Sequence, residues 1–154
     1  MNLTSPAFSN NGTVPGKYTC DGLNIGPPLE FSDVPEKAKS LVLIMDDPDI
    51  PDFVKEKCKI NVWDNWVVFN ILPKIRKIPE GQNPPGILGK NTSGKNGYGG
   101  PCPPDKEHRY FFKLYALDTT LDLKEGATKE QVEKAMQEHV VEKEELVGRY
   151  EKKR

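Results

Sequence analysis

Three apolar stretches decide the fold of this 154-residue chain: SLVLIM at Ser40–Met45, WVVFNIL at Trp66–Leu72 and RYFFKLYAL at Arg109–Leu117. Each is short, rich in β-branched or aromatic residues and flanked by turn residues, a combination that favours strands over helices. The first two are apolar almost throughout, which predicts central strands covered on both faces. Shorter strands are predicted at Gly16–Cys20 and around Leu29–Phe31. The fold class expected is therefore mainly β.

One helix is predicted, from Lys129 to His139. Thr128 and Gln131 have the spacing of a capping box, and the helix has one apolar face. That face is formed by Val132, Ala135, Met136 and Val140. The chain beyond it, Val140–Tyr150, is compatible with more helix or with a final strand, and the sequence leaves this open. We find no repeat and no linker, so residues 1–154 are predicted to form a single domain.

The composition excludes several classes of function. The chain has 22 basic and 23 acidic residues, for a net charge of −1, so it lacks the basic surface that nucleic acid or an anionic membrane requires. No apolar run approaches the roughly 20 residues of a transmembrane helix. Glycine and proline, 13 and 14 residues, are frequent but show no low-complexity pattern.

The cysteines and the start of the chain bear on the compartment. Residues 1–6 (MNLTSP) have neither the positive nor the apolar region of a secretory signal. The three cysteines, Cys20, Cys58 and Cys102, are an odd number at wide spacing, which fits neither a disulfide framework nor a zinc site. We therefore expect a cytoplasmic protein with reduced thiols. A disulfide between Cys20 and Cys102 stays open as the alternative.

Polar residues adjoin two of the predicted strands. Asp47 follows the first strand in an Asp-Asp-Pro-Asp turn, where it either caps its own backbone or presents a carboxylate for proton chemistry. His108 precedes the third strand, and a period of two places it on one face with Tyr110. These two side chains either contact an anion or are satisfied polar groups of the core.

The loop GYGGPCPP at Gly97–Pro104 can present backbone N–H groups to an anion, although proline-rich loops also serve structural roles. Cys102 has no helix N-terminus to lower its pKa, which argues against a nucleophile. The segment Gly89–Lys95 reads GxxxxGK, but Asn96 follows the lysine and no helix can begin there. A polar loop is therefore predicted in place of a nucleotide-binding one.

Four segments in this order resemble the phosphatidylethanolamine-binding protein family, which includes Raf kinase inhibitor proteins, and in particular its short bacterial and archaeal members. They are DPDIP (Asp47–Pro51), WDNWVVFN (Trp63–Asn70), GYGGPCPP (Gly97–Pro104) and HRYFFKLYALD (His108–Asp118). The resemblance covers essentially the whole chain. It implies antiparallel sheets with Greek-key connections, a few peripheral helices, and a small anion pocket at the ends of the strands.

The resemblance also implies which residues bind the ligand. They are Asp47, Pro51, Trp63, Asn65, Gly100, Cys102, His108 and Tyr110. The sequence departs from the family at Asn65, where a histidine is usual. Asparagine offers an N–H donor but cannot become a cation or transfer a proton, so anion binding at mildly acidic pH should be weaker.

We therefore expect a protein that binds a small phosphorylated or carboxylated ligand, such as phosphoethanolamine, and uses no metal or cofactor. We also expect this binding to serve a regulatory role. It should be a monomer or homodimer that binds no nucleic acid. The resemblance also implies an alternative, inhibition of a serine protease or kinase through a surface loop such as Gly81–Lys95. An enzyme using Asp47 and His108 as acid and base is not expected, because no nucleophile or metal set completes such a site.

Overall fold

Nine β-strands, two α-helices and one short 3-10 helix form the computed structural model, which describes residues 1–153. The strands are β1 (Asn2–Thr4), β2 (Gly12–Thr13), β3 (Leu29–Ser32), β4 (Ser40–Asp47), β5 (Trp63–Ile71), β6 (Lys77–Ile78), β7 (Ile87–Leu88), β8 (His108–Leu117) and β9 (Val140–Tyr150). The helices are α1 (Asp52–Cys58) and α2 (Lys129–Met136), and the 3-10 helix is Gly16–Tyr18. The mainly β fold class with peripheral helices is thus confirmed.

The larger sheet has six strands in the order β2-β9-β8-β4-β5-β7. Its neighbours are antiparallel except β2 and β9, which run parallel. β4 lies between β5 and β8, and all eight of its residues are buried. This confirms the central position predicted from its apolar character. Residue 72 of the second apolar stretch lies beyond β5 and is exposed.

Alternation along β4 divides the core into two clusters, one on each face of the larger sheet. Leu41, Leu43 and Met45 pack with a smaller sheet of order β1-β3-β6. Val42 and Ile44 point the other way, into a cluster with Val132 and Met136 of α2. Because side chains alternate with a period of two, every residue of β4 is assigned to one layer or the other. We call these the small-sheet face and the helix face.

Helix α2 begins at the predicted cap and ends earlier than predicted. The Thr128 side chain accepts from the backbone N–H of Gln131, and the Gln131 side chain accepts from the backbone N–H of Thr128. The helix ends at Met136 because β9 begins at Val140, where the chain joins the edge of β8. The structure therefore settles residues 140–150 as a strand, and Val140 belongs to that strand.

One local prediction was wrong, and one helix was not predicted. The segment predicted as a strand at Gly16–Cys20 begins with a 3-10 turn over Gly16–Tyr18, which Thr19 closes by donating its hydroxyl and its backbone N–H to the Gly16 carbonyl. Helix α1 was not predicted at all. It has seven residues and none of them is buried, so it leaves no apolar periodicity in the sequence.

The prediction of reduced thiols was wrong for two of the three cysteines. Cys20 and Cys102 form a disulfide whose Cα atoms lie 5.4 Å apart, although 82 positions separate them in the chain. Sequence spacing does not report this proximity, because it arises from the approach of two loops. Cys58 is a free, exposed thiol. Within residues 1–153, neither helix has the length and apolar character needed to cross a bilayer.

Candidate functional site

Asp47 and His108 meet because their strands are antiparallel neighbours. β4 ends at Asp47 and β8 begins at His108, and the register pairs Asp46 with Phe111. The end of one strand therefore lies beside the start of the other, at one edge of the sheet. Asp47, His108 and Tyr110 all point to the small-sheet face, since they share the parity of Met45 and Phe112.

Both nitrogens of the His108 ring contact a carboxylate. Nδ1 lies 2.7 Å from Oδ2 of Asp47, and Nε2 lies 2.6 Å from Oδ1 of Asp105. The His108 side chain is fully buried, and that of Asp105 is 32% exposed. A neutral imidazole has one N–H, so both contacts are hydrogen bonds only if the ring is an imidazolium or one carboxyl group is protonated.

The two carboxyl groups differ in pKa. Burial raises the pKa of Asp47 above its ordinary value and outweighs the opposing hydrogen bonds from His108 and the backbone of Asp49. For Asp105 desolvation acts in the same upward direction, but the hydrogen bonds from His108 and from backbone N–H groups prevail and lower its pKa. Asp47 is therefore the carboxyl group that more readily takes up a proton.

Tyr110 extends this polar chain. Its hydroxyl interacts with Asp47 and with the backbone of Cys102, and burial raises the pKa of the phenol far above its ordinary value. The ring is fully buried and stacks on that of His108, with centroids 6.4 Å apart. The phenol keeps its proton throughout the physiological range, so it serves as a hydrogen-bonding group.

These groups form one side of a cavity of about 350 Å³. Seven of the eight predicted site residues line it. They are Asp47, Trp63, Asn65, Gly100, Cys102, His108 and Tyr110. Pro51 does not line the cavity, and its role in ligand binding stays a prediction. It precedes α1, and its carbonyl accepts from the first turn of that helix, while Ile50 and Val54 on either side of it face the cavity.

Nine further residues, which were not among the predicted site residues, also line the cavity. They are Cys20, Asn24, Ile50, Val54, Asn91, Ser93, Gly99, Pro103 and Pro104. Most belong to loops whose place depends on the whole fold. Asn24, for example, reaches the cavity because its Oδ1 accepts from the backbone N–H of Gly100 at 2.9 Å. That bond also changes the predicted role of Gly100, whose N–H is already engaged within the protein.

Gly100 is a glycine for reasons of space. A Cβ there would lie 2.2 Å from Oδ1 of Asn24 and 2.4 Å from the carbonyl oxygen of Tyr18. The loop from residue 97 to residue 104 is thus packed directly against the segment around Tyr18. The Cys20–Cys102 disulfide joins the same two segments. The predicted concave loop exists, and its position is fixed by close packing and a covalent bond.

Asn65 lies in the cavity wall and is 2% exposed. Its Nδ2 donates to the carbonyl of Gly99 at 2.8 Å, and the backbone N–H of Gly99 donates to the carbonyl of Asn65 at 2.8 Å. Among residues 1–153, no group donates to its buried Oδ1. The donor expected at this position is engaged by the protein, and the atom left without a partner is an acceptor.

The fold and the site together define a β-rich protein with a polar pocket at the ends of two central strands. The chain belongs to the phosphatidylethanolamine-binding protein family, because the model of that family matches residues 4–151. The expected resemblance is confirmed.

Relatives in bacteria and archaea support the same assignment. A UPF0098 protein of Chlamydia trachomatis serovar D is 50% identical over 152 residues, covering 99% of each chain. A UPF0098 protein of Methanothermobacter thermautotrophicus is 51% identical over 156 residues, covering 97% of this chain and 98% of the relative.

Two crystal structures have the same fold. The phosphatidylethanolamine-binding protein homolog CT736 of Chlamydia trachomatis superposes with a TM-score of 0.92 at 50% identity, covering 98% of this chain and 97% of the other. Escherichia coli YbcL, described as a new member of the mammalian family, superposes with a TM-score of 0.86 at 28% identity, covering 99% and 98%.

Proposed function

We propose that this protein binds a small molecule carrying a phosphate or carboxylate group, in the cavity beside Asp47 and His108. The observation that supports this most is the fully buried imidazole of His108, held between two carboxylates at the cavity. Buried ionisable groups are costly unless paired, so their concentration at a cavity is a common mark of a ligand site. A volume of about 350 Å³ suits a small metabolite or a headgroup.

The polar groups favour a ligand with both signs of charge. An imidazolium at His108 offsets part of the negative charge of Asp47 and Asp105, which lowers the electrostatic cost of placing an anionic group beside them. Asp47 and the Oδ1 of Asn65 are acceptors, which suit an ammonium or hydroxyl group. Phosphoethanolamine combines these features and is the probe of choice.

We infer binding without turnover. The sulfur of Cys102 is in a disulfide and is not available as a thiolate nucleophile. Both nitrogens of His108 are engaged by carboxylates, which leaves neither free to accept a proton from a substrate. Incubation with phosphomonoesters should therefore release no phosphate above background, and release that disappears in His108→Gln would contradict this inference.

Calorimetric titration with inorganic phosphate and with phosphoethanolamine, at mildly acidic pH, tests the binding. His108→Gln keeps a hydrogen-bonding side chain but cannot carry charge, and should lower both affinities at least about tenfold. Asp47→Asn should weaken phosphoethanolamine more than phosphate, because the ammonium group loses its carboxylate. Wild-type protein that binds neither compound at millimolar concentration would contradict the proposal.

Asp46→Asn is the matched control. Asp46 precedes Asp47 on β4 and is equally buried, at 2% against 3%, but it points to the helix face. Its substitution should leave both affinities within about twofold. A loss of affinity as large as that in Asp47→Asn would mean that binding weakens whenever the protein is destabilised, and not because the Asp47 carboxylate is missing.

Inhibition of a protease or kinase through Gly81–Lys95 stays a prediction. This segment is attached to the sheet, because Trp66 Nε1 donates to Oδ1 of Asn83 at 3.0 Å and the backbone N–H of Asp64 donates to the hydroxyl of Thr92 at 2.7 Å. Inhibition through this surface should survive His108→Gln, which separates the two functions.

A cytoplasmic location also stays a prediction, and the disulfide bears on it. Disulfides persist mainly in oxidising compartments, or inside the cells of hyperthermophiles. Thiol alkylation of the protein quenched in acid from its native cells should modify Cys58 alone if the Cys20–Cys102 bond exists there.

A further inference from the structure

The amide of Asn65, in the wall of the cavity, leaves one particular atom without a hydrogen-bond partner. Asn65 is 2% exposed and lies in the cavity wall. Its backbone carbonyl and its Nδ2 both bond to Gly99, each at 2.8 Å. These two bonds hold the residue on the wall from both its main chain and its side chain.

The amide has only one favourable orientation. The Gly99 carbonyl is an acceptor, so the NH₂ group must face it, and a flipped amide would place two acceptors against each other. The oxygen is therefore the end left over. It is buried, and no group among residues 1–153 donates to it.

An unpartnered buried acceptor discriminates between ligands. A ligand oxygen without a proton is repelled by Oδ1, whereas a P–O–H or N–H group can donate to it. The neighbouring carboxylate of Asp47 is close to His108 and accepts from the backbone N–H of Asp49, and it keeps further acceptor capacity. Oδ1 of Asn65 differs from it because it has no donor among residues 1–153 at all.

We propose that Asn65 determines specificity in this cavity by selecting anionic groups that carry a proton, such as a monoprotonated phosphate, over fully deprotonated isosteres. This inference rests on the proposed function, since it requires the anionic group to bind in the cavity, next to Oδ1 of Asn65.

Phosphate and sulfate make the decisive pair. They have the same shape and nearly the same size, but at mildly acidic pH phosphate carries protons and sulfate carries none. Calorimetric titration of the wild-type protein with each anion, at equal ionic strength, should show phosphate binding at least about tenfold more tightly, the effect of about one hydrogen bond to a charged group.

Two variants assign the preference to Asn65. Asn65→His replaces the acceptor by a ring able to donate, and should tighten sulfate and reduce the phosphate-to-sulfate ratio about tenfold. Asn65→Ala removes the amide without adding charge, and it should also reduce the phosphate-to-sulfate ratio. It provides the test if Asn65→His does not fold. Asp46→Asn is the control, because Asp46 points to the helix face and does not line this cavity, and its ratio should match the wild type.

The outcomes separate this inference from the proposed function. Equal binding of phosphate and sulfate by the wild type would overturn the specificity and leave the binding function standing. A preference that persists unchanged in Asn65→His and Asn65→Ala would also overturn it, because the discrimination would then lie elsewhere. Failure of the wild type to bind either anion would overturn both.

Discussion

Asp46 and Asp47 are consecutive, equally buried carboxylates with different surroundings. Asp47 points to the small-sheet face, where it meets His108 beside the cavity. Asp46 points to the helix face, where its Oδ2 lies 3.0 Å from Nζ of Lys113 and 3.1 Å from Nζ of Lys129. One step along a strand thus separates two kinds of polar site.

The helix face holds a network of ion pairs around Asp46 and Lys129. Lys129 also contacts Asp64 at 2.7 Å, so one ammonium group joins two carboxylates beneath the start of α2. Desolvation lowers the pKa of Lys129, but the contacts with Asp64 and Asp46 outweigh it and raise the pKa overall. The amine therefore keeps its proton throughout the physiological range, whereas burial raises the pKa of its partner Asp64.

The two faces give neighbouring buried carboxylates different partners. On the helix face, Lys129 pairs with Asp46 and Asp64 and attaches α2 to the sheet. On the small-sheet face, the partner of Asp47 is the imidazole of His108, and the pair lines the cavity of about 350 Å³. The partners that each face supplies therefore separate a structural ion pair from the candidate site.

The largest effect is expected from removing the disulfide, which lies on the cavity side of the larger sheet only. It closes a loop of 82 positions, so Cys20→Ser or reduction by a dithiol should lower the free energy of unfolding by about 4 kcal/mol. Phosphate affinity should fall too, because the loop that carries Gly100 and Cys102 is released. Denaturant unfolding and calorimetry measure the two effects.

Cys58→Ser is the control for that experiment, since this exposed thiol is free, and it should change stability by less than about 0.5 kcal/mol. Equal unfolding midpoints for the oxidised and reduced protein would show that the disulfide does not stabilise the fold.

The next effect concerns the helix face. Lys129→Met keeps an apolar stem but leaves Asp64 without its counter-ion, and should cost about 3 kcal/mol of stability in denaturant unfolding. Lys134→Met, at an exposed position of the same helix, should cost less than about 0.5 kcal/mol. Phosphate affinity should be unchanged in both variants. If Lys129→Met abolished binding, the two faces would not be independent.

The smallest effect is a contrast in pH dependence between Asp47 and Asp49. Burial raises the pKa of Asp47 above 3.8, so the folded state binds its proton more tightly than the unfolded state does. This contribution favours folding at low pH and is lost as the pH rises through the folded pKa. The stability of Asp47→Asn should therefore gain on the wild type as the pH rises.

Asp49 should show the opposite sign. Its hydrogen bonds from Arg109 lower its pKa, so its contribution to stability is present above the ordinary value of 3.8 and is lost as the pH falls through the folded pKa. Asp49→Asn should lose stability relative to the wild type as the pH rises. Parallel slopes for the two variants in unfolding measurements would contradict these pKa directions.

The central strands and the start of α2 could be predicted from the local sequence, because the spacing of apolar residues and the capping interactions depend only on neighbouring residues. Helix α1 has no buried face, so no regular spacing of apolar residues indicated it. The pocket was predictable only through the joint order of four motifs. The motifs do not distinguish Pro51, which lies next to the cavity, from residues that line it, because both kinds of residue look alike in sequence.

The sequence by itself determined the β-rich class, the family, and the parity that puts Asp47, His108 and Tyr110 on one face. Only the tertiary structure decided which groups meet: Asp105 with His108, Cys20 with Cys102, and the Asn65 amide with Gly99. The physical reason is that periodicity assigns a side chain to a face, whereas its hydrogen-bond partner depends on which distant loop packs against it. The unpartnered oxygen of Asn65, on which the proposed specificity rests, is a consequence of that packing.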